Sequence, residues 1–136
     1  MPVMFPSSEW TVEFQKALNT NPVYAEAARN WEGDFYFIVT NIPGQPDPTT
    51  MYADLYHGKC RAAELVDDDS VYNPAFRMTA PISVWRKVIE KKMDPIQGLL
   101  TRQLKLHGDM VTIMKNVKAA KELVNSLSTI DTQFPS

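Results

Sequence analysis

The sequence predicts an α+β fold, a five-stranded sheet covered by helices, and three observations carry that prediction. Between Asp34 and Val66 the apolar residues alternate with a period of two, which is the signature of strands. On both sides of that region they recur at helical spacing behind Ser, Asn or Asp caps. Two further strand patterns, Ala75 to Ala80 and Leu104 to Gly108, lie among the carboxy-terminal helices and bring the strands to five.

Ser7 and Ser8 cap a first helix whose apolar positions Trp10, Phe14, Ala17 and Leu18 share one face. Asn21-Pro22, a cap followed by a proline at the first helical position, opens a second helix that presents Val23, Tyr24, Ala27 and Ala28 and ends near Trp31 and Gly33. Asp34 to Thr40 follows as a strand. Phe35, Phe37 and Val39 occupy one face and Tyr36 and Ile38 the other, which predicts a central strand covered on both sides. Asn41 to Thr50, with three prolines and a glycine, reads as a loop. Met51 to His57 and Cys60 to Val66 form an antiparallel hairpin around a Gly-X turn at Gly58-Lys59. Asp67-Asp68-Asp69-Ser70 ends it as a solvated turn, without the glycine and terminal glutamate of a calcium loop.

From Phe76 to Leu127 the order is strand, helix, short helix, strand, helix. This stretch is rich in apolar residues and nearly empty of catalytic groups. Pro81 ends the strand. Trp85, Val88 and Ile89 form one stripe of the helix Ile82 to Lys92, and Asp94-Pro95 starts the short helix. Asp109 caps a last helix, read as continuous to Leu127 and roughly 27 Å long at 1.5 Å per residue. Four of the seven methionines, Met78, Met93, Met110 and Met114, lie here, and methionine suits surfaces that accept more than one shape.

The same stretch resembles the sterol-carrier-protein, or non-specific lipid-transfer, domain family. The resemblance rests on Ser83-Val84-Trp85-Arg86, on Met93-Asp94-Pro95 before the short helix Ile96 to Leu100, and on Leu104-Lys105-Leu106-His107-Gly108-Asp109-Met110 running into the last helix. It extends from about Trp10 to Leu127. It implies an apolar cavity between a twisted sheet and its covering helices, and binding of fatty acyl chains, acyl-CoA, phospholipids or sterols. Where many members carry Ser-Gly-Lys-Leu before the last strand, this chain has Thr101-Arg102-Gln103-Leu104, which bears on the shape of the cavity mouth. The lining residues expected on this reading are Phe76, Met78, Trp85, Ile89, Met93, Ile96, Leu99, Leu100, Leu104, Leu106, Met110, Ile113 and Met114. Arg77, Arg102 and Gln103 are placed at the rim. Each apolar residue taken alone fits a packed core better than a cavity wall; the family resemblance is what tips the balance toward the cavity.

Length and composition frame the rest. At 136 residues the chain is expected to form one domain, residues 1-136. A net charge of −2 gives no global reason to expect nucleic acid as a partner. The charge is unevenly spread: residues 1–69 hold eleven acidic and four basic residues, and residues 70–136 five acidic and ten basic. Arg86, Lys87, Lys91 and Lys92 fall on one helix, either as a solvated face or as a transient contact with an anionic membrane surface. One cysteine, Cys60, permits no internal disulfide, and neither a signal-peptide pattern nor a terminal Ser-Lys-Leu is present. These readings place the chain in the cytoplasm, as a monomer or homodimer.

Candidates for catalysis are few. His57 falls at a hairpin turn. His107 and Asp109, two apart on a strand, share a face and would suit a base and its orienting carboxylate, but Asp109 is better used as a helix cap. Two histidines and one cysteine without ligand spacing argue against a zinc site, and five scattered glycines form no phosphate loop. The expected function is therefore a lipid carrier with no bond chemistry of its own and no cofactor or metal. An accessory subunit presenting a lipophilic substrate to a partner enzyme is the alternative.

Overall fold

In the computed structural model, which describes all 136 residues, five strands form one sheet in the order β4-β3-β2-β5-β6. The elements run β1 (Val3–Met4), α1 (Ser8–Asn19), α2 (Pro22–Ala27), β2 (Glu32–Thr40), β3 (Thr49–Tyr56), β4 (Lys59–Val66), β5 (Phe76–Pro81), α3 (Ile82–Ile89), α4 (Pro95–Leu100), β6 (Lys105–His107), α5 (Met110–Met114), α6 (Val117–Leu127) and β7 (Thr132–Gln133). Strand β2 pairs antiparallel with β3 and parallel with β5, so it is central, as its two apolar faces require.

The two faces of β2 are covered differently. Phe35 and Phe37 face the helical layer, where Phe35 stacks on Phe76 at 5.0 Å between ring centroids and Phe76 in turn lies 5.4 Å from Trp31. Tyr36 faces the other way and is fully buried without a helix above it. The loop between β4 and β5 covers it: the Tyr36 hydroxyl donates to the Tyr72 carbonyl (3.1 Å) and accepts from the Tyr72 amide (2.8 Å). Tyr72 stacks on Tyr52 at 3.7 Å, and the Tyr52 hydroxyl donates to Asp34. Arg77 lies over the Tyr36 ring on this same side. Its neighbour Met78 points to the helices, and successive strand residues alternate faces, so Arg77 does not stand at the rim of the helical side.

Local caps set the helices as the sequence predicts. Ser7 accepts from the Trp10 amide, Asn21 from Val23 and Tyr24, Asp94 from Ile96 and Gln97, and Asp109 from Val111. Three local expectations are corrected. The hairpin turn is His57-Gly58, since Tyr56 pairs with Lys59 and both turn residues have positive φ (49° and 79°), as a type I′ turn requires. Helix α3 stops at Ile89 rather than Lys92, because Lys91 turns left-handed (φ 60°) and the amides of Lys92 and Met93 fold back to the Lys87 carbonyl. The last helix is two helices, broken at Lys115-Asn116, with the Asn116 side-chain amide donating to the Thr112 carbonyl at 2.8 Å.

The termini are joined by an interaction that no local pattern announces. β1 and β7 pair in parallel, with the Val3 amide donating to Asp131 and the Phe5 amide to Gln133. Phe5 is thereby held edge-on to Trp10 (4.7 Å) and Phe134 (5.8 Å), closing one end of the core.

Candidate functional site

A cavity lies between the inner face of β2, β3 and β5 and the helical layer. It holds about 100 Å³ of free space, and 22 of its 24 lining residues are hydrophobic. The sheet supplies Phe35, Phe37, Met51, Leu55 and Met78, and α1 and α2 supply Trp10, Phe14 and Tyr24. From the other side come Trp85, Val88 and Ile89 on α3, Ile96 and Leu99 on α4, and Ile113 on α5. Helix α6 contributes Ala119, Ala120, Leu123, Val124 and Leu127, a stripe at i, i+1, i+4, i+5 and i+8 that keeps one side of the helix on the cavity.

Seven of the thirteen residues expected from the sequence stand on this wall: Met78, Trp85, Ile89, Ile96, Leu99, Leu104 and Ile113. Phe76 is buried in the aromatic stack beneath, and Met93, Leu106 and Met110 pack against the core from partly buried positions. Leu100 and Met114 need correction: they are 62% and 39% exposed and face solvent. On such short helices a shift of one position rotates a side chain by about 100°, so Leu99 and Ile113 take the inward places and their neighbours turn out.

Most of the residues missed come from the amino-terminal half and from α6; Val88, Pro95 and Asn116 are the others. The signal was available. The sheet face Phe35/Phe37 and the helix face Trp10/Phe14 were both legible as apolar surfaces, and a space between two layers is lined by both.

Polar groups on the wall are nearly all spent within the protein. The indole N–H groups donate at 3.0–3.1 Å, Trp10 to the Thr132 hydroxyl, Trp31 to the Gly33 carbonyl and Trp85 to the Ile38 carbonyl. Cys60 is buried nearby under α1, and burial, its largest cause, pushes the thiol pKa up to about 12. Its thiol donates to the Ala62 carbonyl. A thiol so protonated is a poor nucleophile, so Cys60 is expected to resist iodoacetamide at pH 8 in the native protein and to react fully in guanidinium. Mass spectrometry of the alkylated protein checks this. Asp109 has both oxygens engaged, by the Val111 amide and the Thr112 hydroxyl, so the pairing with His107 considered from the sequence is not made.

The segment Thr101-Arg102-Gln103-Leu104 keeps a glycine-like geometry without a glycine, and only its Leu104 lines the cavity. Arg102 has φ 62°, while the amides of Gln103 and Leu104 both return to the Gly98 carbonyl at 3.0 Å to close α4. A left-handed non-glycine residue costs on the order of 1 kcal/mol. Arg102→Gly is therefore expected to raise stability by no more than about 0.5 kcal/mol, read as a slightly higher urea midpoint, after the larger entropy of the unfolded glycine chain is subtracted.

Residues 14–121 match the model of the SCP-2 sterol transfer family. The chain belongs to that family. Among solved structures it is similar to a crystal structure of sterol carrier protein 2, with 28% identity, 91% of this chain and 97% of that one covered, and a TM-score of 0.82. It is equally similar to the solution structure of a conserved hypothetical protein of Thermus thermophilus (28% identity, 96% and 91% covered, TM-score 0.84). The Aedes aegypti sterol carrier protein 2, solved with palmitate, shares the fold at 16% identity, with 87% and 93% covered and a TM-score of 0.54. No curated protein matches the chain in sequence. The fold is thus the family's lipid-binding and transfer fold, and no helix of this chain is long and apolar enough to cross a membrane.

Proposed function

We propose that this protein holds the acyl chain of a lipid, or a sterol-like molecule of similar girth, in the cavity between sheet and helices, and carries it without chemical change. The observation that supports this reading is the near absence of free polar groups on a wall drawn from nine elements. Burial of each methylene contributes about 0.8 kcal/mol, so a long tail supplies affinity without directional contacts, and ligand choice is broad. That the Aedes aegypti relative was solved with a C16 fatty acid agrees with it. The free space, about 100 Å³, is smaller than the ~300–1,000 Å³ usual for sites that enclose a ligand, so loading requires the cover to move outward. Helices α4 and α5, of six and five residues, are too short to be stable alone and stand together on that side of the cavity, which suits them to move. Native mass spectrometry of purified protein, followed by titration with a fluorescent fatty acid, tests the proposal. Co-purified lipid and saturable binding are expected; neither appearing would refute it.

Delivery involves transient contact with an anionic membrane through Arg86, Lys87, Lys91 and Lys92. Two of these four are partly neutralised, since Arg86 (3.3 Å) and Lys92 (3.4 Å) both pair with Glu90. Lys87 and Lys91 are both exposed, with no carboxylate partner within ion-pair distance, and carry most of the attraction. Each basic residue near such a surface contributes about 1 kcal/mol. Reversing both charges (Lys87→Glu, Lys91→Glu) is expected to weaken sedimentation with phosphatidylserine vesicles at least tenfold at low salt and to leave binding of free fatty acid unchanged.

A further inference from the structure

We propose that the Tyr24 hydroxyl is a hydrogen-bonding anchor at the deep end of the cavity, selecting lipids that carry a hydroxyl or carbonyl group on the end that enters first. This deepens the lipid reading and rests on it.

The inference starts from an inventory of polar groups on the wall. All three tryptophan N–H groups are satisfied within the protein. The Asn116 side-chain N–H is tied to Thr112. The Asn116 Oδ1 has no protein partner but sits on a partly exposed residue; Tyr24 is the buried exception, only 2% exposed, and its hydroxyl makes no hydrogen bond to the protein. No side-chain nitrogen or oxygen is both sealed in and unpartnered, so this oxygen touches open space, and the cavity is the open space that Tyr24 lines. Burial, and next the adjacent Cys60 thiol, hold the phenol well above its usual range, so it is always a protonated donor.

Position makes the hydroxyl the far end of the site. Helix α2 is fixed against the end of α6 by the Asn21 amide, which donates to the Ser126 hydroxyl at 2.8 Å. Asn116, the other polar side chain on the wall, stands at the beginning of α6 beside the short helices. Ten residues of helical rise separate Asn116 from Ser126, about 15 Å at 1.5 Å per residue. A ligand whose polar head lies by the α5–α6 break therefore reaches Tyr24 with its other end. An all-hydrocarbon tail gains nothing from the hydroxyl there, whereas a tail ending in –OH or C=O restores the hydrogen bond that each group lost on leaving water.

The test compares hexadecanoic acid with 16-hydroxyhexadecanoic acid on the wild-type protein and on Tyr24→Phe, by displacement of a bound fluorescent fatty acid. The wild-type protein should bind the hydroxy acid at least as tightly as the plain one. Tyr24→Phe should bind the hydroxy acid about tenfold more weakly and the plain acid within twofold of wild type. The variant should also melt no lower than wild type, because no internal hydrogen bond is removed. Tenfold weaker binding of the hydroxy acid by the wild type, equal effects of Tyr24→Phe on both acids, or a clear fall in its melting temperature would overturn the inference while leaving the carrier function standing. Binding of neither acid by the wild type would remove both.

Discussion

Ala120→Trp is expected to abolish binding of long-chain lipid while leaving the protein folded. Ala120 lies on the cavity-facing side of α6, between Ala119 and Leu123, and lines the free space, so a larger side chain there has room to turn inward. The indole is bulky enough to take up most of the roughly 100 Å³ of free space beside it. Filling an empty apolar space restores the dispersion contacts that its lining lacks, so stability should hold or rise slightly. The ligand loses the corresponding volume. Exclusion of only four methylenes costs about 3 kcal/mol, more than a hundredfold in affinity. Fluorescent fatty-acid titration and a urea melt, run on the same preparation, separate these effects. Unchanged affinity in a folded Ala120→Trp protein would place the ligand elsewhere. Ala120→Ser is the matched control, since it adds one polar atom and almost no bulk, and it should bind nearly as wild type.

Why Ala120 was not among the residues expected to bind is instructive about what a sequence reveals. Caps and prolines act locally, so Ser7, Asn21-Pro22, Asp94-Pro95 and Asp109 marked helix starts that the structure reproduces within a residue or two. The two apolar faces of β2 likewise carried its central position, because alternation records burial directly. Failures arise where geometry depends on distant partners. Met110, Ile113, Met114 and Val117 continue a helical stripe across the break at Lys115-Asn116, with no glycine or proline to mark it, so one helix was the natural reading. The pairing of β1 with β7 joins residues nearly the whole chain apart and leaves no periodicity in two-residue strands. The cavity is harder still. A hollow between layers and a filled interior are lined by the same apolar stripes, and an alanine such as Ala120, which leaves space by being small, looks like an ordinary helix residue. The family pattern pointed to the carboxy-terminal part of the cavity wall. Recognising that Phe35, Phe37, Trp10 and Phe14 must form its other wall requires knowing which faces meet.

The largest loss of stability is expected from Gly58→Ala. Gly58 has φ +79° in the two-residue turn joining β3 to β4, and an added Cβ would sit 2.4 Å from the Ala25 carbonyl oxygen and 2.9 Å from the Ala25 Cα. Both obstacles are backbone of α2, so no side-chain rotation relieves them. Conformational strain alone accounts for about 1 kcal/mol, the cost of a left-handed alanine. Gly44→Ala isolates that part: its φ is +75°, with nothing within 4 Å of the added carbon. The difference between the two variants measures the collision of the hairpin with α2. Displacing α2 loosens the packing of Tyr24, the side chain it buries in the core, so the total for Gly58→Ala should reach about 3 kcal/mol or more against about 1 for Gly44→Ala. Urea unfolding of the pair decides it, and equal midpoints would mean that α2 yields without cost. Because α2 also carries the Tyr24 hydroxyl, a Gly58→Ala protein that still folds should lose its discrimination between hexadecanoic and 16-hydroxyhexadecanoic acid before it loses affinity for either tail. A turn on the sheet edge and selectivity inside the cavity are thus coupled through a single six-residue helix.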